Sequence, residues 1–322
     1  MNTVAAIEPR HAAGQRLRER AFRGATLGAA ILVLSLLGGV VVTLLKGAWP
    51  AFHHFGFEFL TSEKWNPVTD KYGALAPVYG TLVTSLIAML FALPISIGIA
   101  VFLTELAPSW LKRPVGVAIE LLAAVPSIIF GIWGLFVLSP VLQRHVQPVL
   151  IEWLGPLPIV GKLFQGPPYG IGVLTASIVL AIMVIPFISA VTRDVFETVP
   201  DVLKESAYGL GATTWEVIWQ VVIPHTRAGM VGGIMLGLGR ALGETMAVTF
   251  VIGNSHRIAT SLLAPGTTIS AAIANEFTEA VGDLYTSALV ALGALLYLIT
   301  LIVIAAARFM LLRLDRRALS SV

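Results

Sequence analysis

Six apolar runs, each about as long as a bilayer is thick, constrain this chain more than any other feature. They lie at about 25–46, 78–105, 116–139, 171–192, 229–253 and 286–307. A helix needs roughly 20 apolar residues to cross a ~30 Å hydrocarbon core. None of the runs alternates with the period of two that a membrane β-barrel requires, so the chain reads as all-α with six transmembrane helices. Only 12% of the 322 residues are charged. Soluble domains carry about 25%, which leaves an integral membrane protein.

The first run follows a polar tail, 1–24, with Arg10, Arg16, Arg18, Arg20 and Arg23. A signal peptide has the same order of parts. Its apolar region is shorter, however, and ends in a small-residue cleavage site that is missing here. The run is therefore read as an uncleaved first span. The aromatic residues of 47–77, Trp49 and Trp65 among them, suit the membrane–water interface. Pro126 inside the third run predicts a kink, and the prolines and glycines of 140–170 predict an ordered loop. The expected organisation is a tail (1–24), a first helix (25–46), an outer loop (47–77), a five-helix core (78–310) and a second tail (311–322).

Six spans put both termini on one side. Fourteen of the 21 Lys and Arg fall on that side, six on the other, and Arg240 inside a span. Cytoplasmic loops carry the excess of Lys and Arg. Both termini and segment 194–228 are thus expected in the cytoplasm of a bacterial inner-membrane protein, with loops 47–77, 140–170 and 254–285 outside. The basic residues cluster at span ends, which argues against a nucleic-acid partner and for a lipid one. There is no cysteine, and the six His show no ligand spacing such as HExxH. No cofactor or metal site is expected in this chain. The chain also lacks a GxxxxGK[ST] loop for ATP and any nucleophile–base constellation, so it does not read as an enzyme.

Segment 198–224 is polar where the runs around it are not. Pro200 and Asp201 predict a short helix over about 200–208, broken by Gly209 and Gly211. A second would cover about 213–222, with Glu216 in its first turn and Pro224 ending it. Trp215 and Trp219, four apart, share one face. Such a hairpin is either an interfacial tie between two spans or a docking surface for a cytoplasmic partner. The fifth run poses a similar choice. It contains Arg240 and Glu244, four apart and expected on one helical face. A central charge costs about 2.5–3.5 kcal/mol on insertion scales. The two could pair to fix packing, or Arg240 could attract an anion in transit with Glu244 holding it between passages. Glycines 229, 232, 233, 237, 239 and 243 give this run three small-xxx-small pairs that permit close approach.

The hairpin resembles the EAA motif of type I ABC importer permeases, E-A-A-x3-G-x9-I-x-L-P. The matching residues are Glu205, Ser206, Ala207, Gly211, Val221, Ile223 and Pro224; Ser206, Val221 and Ile223 depart from the consensus. The resemblance implies a cytoplasmic coupling helix pair seated on an ATPase, with Trp215 on its apolar face. GTLVTS at 80–85, FLTELAP at 102–108, ELLAAVPSI at 120–128 and GGIMLGLGRALGETMAV at 232–248 also resemble the PstC family, permease subunits of bacterial phosphate-specific ABC importers. That likeness implies passage of inorganic phosphate along Arg240 and Glu244. It also implies a PstA-like companion permease, a dimeric PstB-like ATPase binding ATP and Mg, and a periplasmic PstS-like phosphate-binding protein. The rival readings are a permease for another oxyanion (sulfate, molybdate or phosphonate) and a secondary anion transporter.

Overall fold

A computed structural model describes residues 9–319, with side chains over 18–309. The expectations placed on 1–8 and 320–322 lie outside the described residues. In chain order the helices are α1 (Pro9–Phe55), α2 (Glu58–Thr61), α3 (Leu75–Leu106), α4 (Ser109–Ala123), α5 (Ser127–Leu154), α6 (Val173–Glu197), α7 (Asp201–Gly209), α8 (Thr214–Leu242), α9 (Met246–Val251), α10 (Ile269–Glu276) and α11 (Asp283–Leu319). Six of them, α1, α3, α5, α6, α8 and α11, are long and apolar enough to cross a membrane. The fold is all-helical, as the apolar runs require.

Helix α6 is the axis of the molecule. It packs along α3 on one side and α8 on the other, with α4 laid across it. Leu180, Val184 and Ile188 are fully enclosed, and 72% of its most apolar stretch is buried, against none for α1. The glycines of α8 make this packing tight. A Cβ at Gly229, Gly233 or Gly237 would lie 2.6–2.8 Å from Val195, Val191 or Ile188 of α6. A Cβ at Gly239 or Gly243 would meet no other helix within 4 Å among the described residues, so that third small pair is not needed for close approach to α6.

Helix α1 extends well beyond 25–46. Its end, with Ala48 and Ala51 buried, packs on α11. The Ser287 hydroxyl sits in the helix ladder there: it accepts from Ala51 N at 3.0 Å and donates to Gly47 O at 2.7 Å. Insertion of a side chain into the i→i−4 ladder keeps both backbone groups satisfied.

Two expected spans are corrected. The third is not 116–139. Pro126 takes an extended conformation and starts a helix instead of kinking one. The residue before a proline is pushed out of the helical region, which favours a break at 124–126. Residues 109–123 form the separate, amphipathic α4, and the span runs from Ser127 to Leu154, through half of the expected outer loop. The fifth span is not 229–253. It begins at Thr214 and stops at Leu242, followed by a break and α9.

One device explains why three prolines failed to end helices. Pro140, Pro148 and Pro224 each sit in the first turn after a five-residue π-turn, at 134–138, 142–146 and 218–222. The wider turn shifts the hydrogen-bond register, so the missing proline N–H and the bulk of the ring are accommodated. Pro224 therefore does not end the second hairpin helix, which continues straight into the fifth span.

Candidate coupling hairpin and permeation site

The hairpin is built locally. Asp201 opens α7 after Pro200, and the chain reverses at Gly211, whose φ of +88° favours glycine. Gly211 N donates to Tyr208 O at 2.9 Å and Ala212 N to Ala207 O at 3.1 Å. Thr213 then caps α8 in a capping box with Glu216. The hairpin rests on a small core of Val217 and Val222 against Ala100 of α3, with Phe196 and Val199. One ion pair completes the seat: Lys204 Nζ lies 2.6 Å from Glu105 Oε1 at the end of α3, with side chains only 16% and 7% exposed. Sequence reading missed this pair, because 99 residues separate its members.

The hairpin's other face is unpartnered among the described residues. Leu210 at the tip is 91% exposed, and Trp215 and Trp219 are 67% and 52% exposed with rings 5.3 Å apart. Glu205, Ser206 and Pro224 are exposed as well, and Ser206 Oγ donates to Val202 O at 2.6 Å. Ala207 is partly buried against the hairpin core. The motif residues are thus brought together on one element, with Leu210 as an exposed apolar tip that the motif does not specify.

Arg240 lies in the last turn of α8, about 24 Å along the axis from Pro224 at 1.5 Å per residue. It is exposed, and its guanidinium carbon sits 6.0 Å from the centroid of the Phe187 ring, at the edge of cation–π range. Glu244 is not on its helical face. The helix ends at Leu242, and Glu244 Oε1 accepts from Ala247 N at 3.1 Å, closing the open start of α9. Among the described residues neither side chain forms an ion pair. The expected proximity fails because spacing of four places residues on one face only while the helix continues.

The other end of the molecule has its own centre, which the sequence did not disclose. Glu276, at the end of α10, accepts from the Trp65 indole and from Tyr285 OH at 2.8 Å, and its other oxygen lies 2.7 Å from His256 Nε2. Trp65 stacks on His256 with ring centroids 4.9 Å apart, and Tyr72 stacks on Tyr285 at 5.1 Å. Burial alone would push the Glu276 carboxyl up, but the bonds from His256, Tyr285 and Trp65 outweigh it and hold the group below its ordinary value. Burial, with Asp70 adding to it, pushes the Tyr72 phenol up to about 12.

Comparison with known proteins fits this arrangement. Residues 92–319 match the family described as binding-protein-dependent transport system inner membrane component. The phosphate transport system permease protein PstC of Mesorhizobium japonicum is 65% identical, over 94% of this chain and 92% of that protein. PstC of Pasteurella multocida is 59% identical over 93% of each. A probable PstC of Methanocaldococcus jannaschii is 40% identical over 88% and 90%. Among solved structures, a bacterial ABC transporter involved in import of the acidic polysaccharide alginate aligns with a TM-score of 0.59 at 20% identity, over 92% of this chain and 99% of that one. The MetNI methionine ABC transporter aligns with 0.54 at 16% identity, over 74% and 94%. These two speak to the fold alone. The chain belongs to the binding-protein-dependent transport system inner membrane components, and within them to the PstC family of permeases.

Proposed function

We propose that this chain is the permease subunit of an ATP-driven importer that carries inorganic phosphate inward across the bacterial cytoplasmic membrane. One observation carries the mechanism: the second arm of the hairpin and the helix bearing Arg240 are a single continuous helix, Thr214–Leu242. A push on Leu210 or Trp215 from outside the chain is delivered along α8 to the guanidinium. Helical backbone transmits such a load because each turn is braced by its own hydrogen bonds, and the glycine contacts with α6 keep the helix on track. Arg240 offers several donors to an oxyanion. Glu244, two residues past the helix end, repels an anion that stays and favours its release.

Three further components follow from this reading. A PstA-like companion permease completes the pathway into which Arg240 projects. A dimeric PstB-like ATPase binds ATP and Mg and engages the motif face around Glu205, Ser206, Ala207, Gly211, Trp215 and Pro224. A PstS-like binding protein delivers phosphate to the outer loops. Both termini and the hairpin lie in the cytoplasm, where the excess of Lys and Arg places them. The relatives' designation as phosphate transport permeases supports the choice of substrate.

The test is uptake of radiolabelled phosphate into proteoliposomes holding the complete complex. Uptake should require nucleotide hydrolysis, should not be displaced by excess sulfate, molybdate or a phosphonate, and should be lost in Arg240→Gln. Accumulation without hydrolysis would identify a secondary transporter and end this reading. Preferential uptake of another oxyanion would move the substrate.

A further inference from the structure

Opposite the hairpin, beside the start of α3, a pocket of about 650 Å³ opens between the 63–71 loop and the 255–257 loop. Three cations, Lys64, Lys71 and Arg257, line it, and Glu63 is the one carboxylate in its wall. Among the described residues, none of the three cations forms an ion pair or a side-chain hydrogen bond. Glu58 and Asp70 stand in an adjoining cavity that shares Lys64 and Lys71, but within this one three cations face a single carboxylate, and that excess raises the local potential, which low-dielectric walls then focus.

The backbone that holds these cations is braced. Lys64 precedes Trp65 and Arg257 follows His256, and those two rings stack 4.9 Å apart with an interplanar angle of 7°. Glu276 binds both rings from behind. Lys71 is held by a paired bridge to Asn66, with N–O distances of 2.8 and 3.1 Å. The backbone positions from which the three side chains extend are thus held in place around the pocket. From these facts the geometry points to an outer vestibule for a small tetrahedral oxyanion, filled before the anion reaches Arg240. This inference rests on the oxyanion-import reading. It adds a capture site beyond the end of α8 that carries the permeation arginine, with Glu276 as the residue that positions its walls. Two of its three charges are lysines, compact and strongly hydrated, which hold an anion as point charges without a bidentate fork. That suits a site of capture and quick release.

Two measurements on the complete complex test it. Amine acetylation of Lys64 and Lys71, read by mass spectrometry, should slow severalfold in inorganic phosphate relative to chloride at equal ionic strength. The Lys64→Gln/Lys71→Gln/Arg257→Gln variant should take up phosphate roughly tenfold more slowly, the effect of about 1.4 kcal/mol on a rate. Its ATPase stimulation by the phosphate-loaded binding protein should be unchanged. Equal acetylation in the two anions overturns the inference. So does a parallel fall in ATPase stimulation, which would make the cations contacts for an acidic face of the binding protein. The parent reading is judged separately, on the unsubstituted complex: if that imports phosphate while the triple variant does so equally well, only the vestibule is lost.

Discussion

The two ends of this molecule handle apolar side chains in opposite ways. At the hairpin end, Leu210, Trp215 and Trp219 point outward from a hairpin whose first helix, α7, has no buried residue. At the opposite end, Trp65 and Tyr285 turn inward on the Glu276 carboxylate while Tyr72 stacks on Tyr285, and the cluster is completed within the chain. The difference separates a surface built for a partner from a cap built for itself. Exposed apolar side chains gathered at a turn gain free energy only when another molecule covers them. A satisfied carboxylate surrounded by aromatic donors gains it on folding.

The largest expected effect lies where the hairpin meets the body. Glu105→Gln leaves Lys204 buried and unpaired, which costs about 3–5 kcal/mol. We expect a lower melting temperature of the purified chain and loss of transport. Adding Lys204→Met should recover most of the melting temperature. If each single variant melts normally, the hairpin is not seated by this pair, and the contrast between a loose and a braced end becomes sharper still.

Next comes Leu210→Asp. A central apolar contact in an interface is worth about 2–4 kcal/mol, so the ATPase should no longer co-purify with the permease. The melting temperature of the isolated chain should stay unchanged, because the side chain touches little of its own protein. A drop in that temperature would show the tip is packed after all and would break the comparison.

Glu276→Gln should act in the reverse sense. Hydrogen bonds to a charged group contribute about 1.5–3 kcal/mol, so the outer cap should loosen while ATPase binding is retained. Hydrogen exchange at 64–72 and 255–257 would report it. The same carboxyl gives a pH signature. Its folded value lies below the ordinary 4.5. Its contribution is therefore fully present above the unfolded value and is lost as pH falls through the folded one. The cap should be insensitive to pH above 5 and open in stronger acid. Opening already between pH 5 and 7 would show that Glu276 does not control the cap.

The smallest effect is expected at Gly211→Ala. A side chain at φ +88° costs about 1–2 kcal/mol. Nothing lies within 4 Å of where its Cβ would be, so the strain is the whole effect in the isolated chain. A much greater loss of ATPase binding than of stability would show that the partner's backbone passes close to this turn.

Much of this was legible along the chain. Six apolar runs dictated six spans, and the helical start at Asp201, the turn at Gly211 and the Thr213–Glu216 cap are local signals between residues at most four apart. The prolines were harder to read. Pro126 starts a helix, whereas Pro140, Pro148 and Pro224 continue one, and nothing in their immediate neighbours separates the two outcomes. A π-turn precedes each of those three and persists only where packing stabilises its poorer register, whereas Pro94 and Pro186 stay inside α3 and α6 with no π-turn before them. Arg240 and Glu244 stood out as charges in an apolar run, but their separation depended on a helix end at Leu242 that no single residue announces.

By itself the sequence determined the membrane-spanning class, the number of spans and the position of the reversing hairpin. Each of these depends on the transfer of apolar residues from water or on hydrogen bonds within one turn, and so is encoded locally. Only the tertiary structure decided that the hairpin is locked to α3 by Lys204 and Glu105, and that Glu276 gathers Trp65, His256 and Tyr285. It alone also separated Glu244 from Arg240. Those arrangements depend on which distant surfaces become neighbours once the helices have packed around α6. That choice is made by the complementarity of the whole bundle, not by any window along the chain.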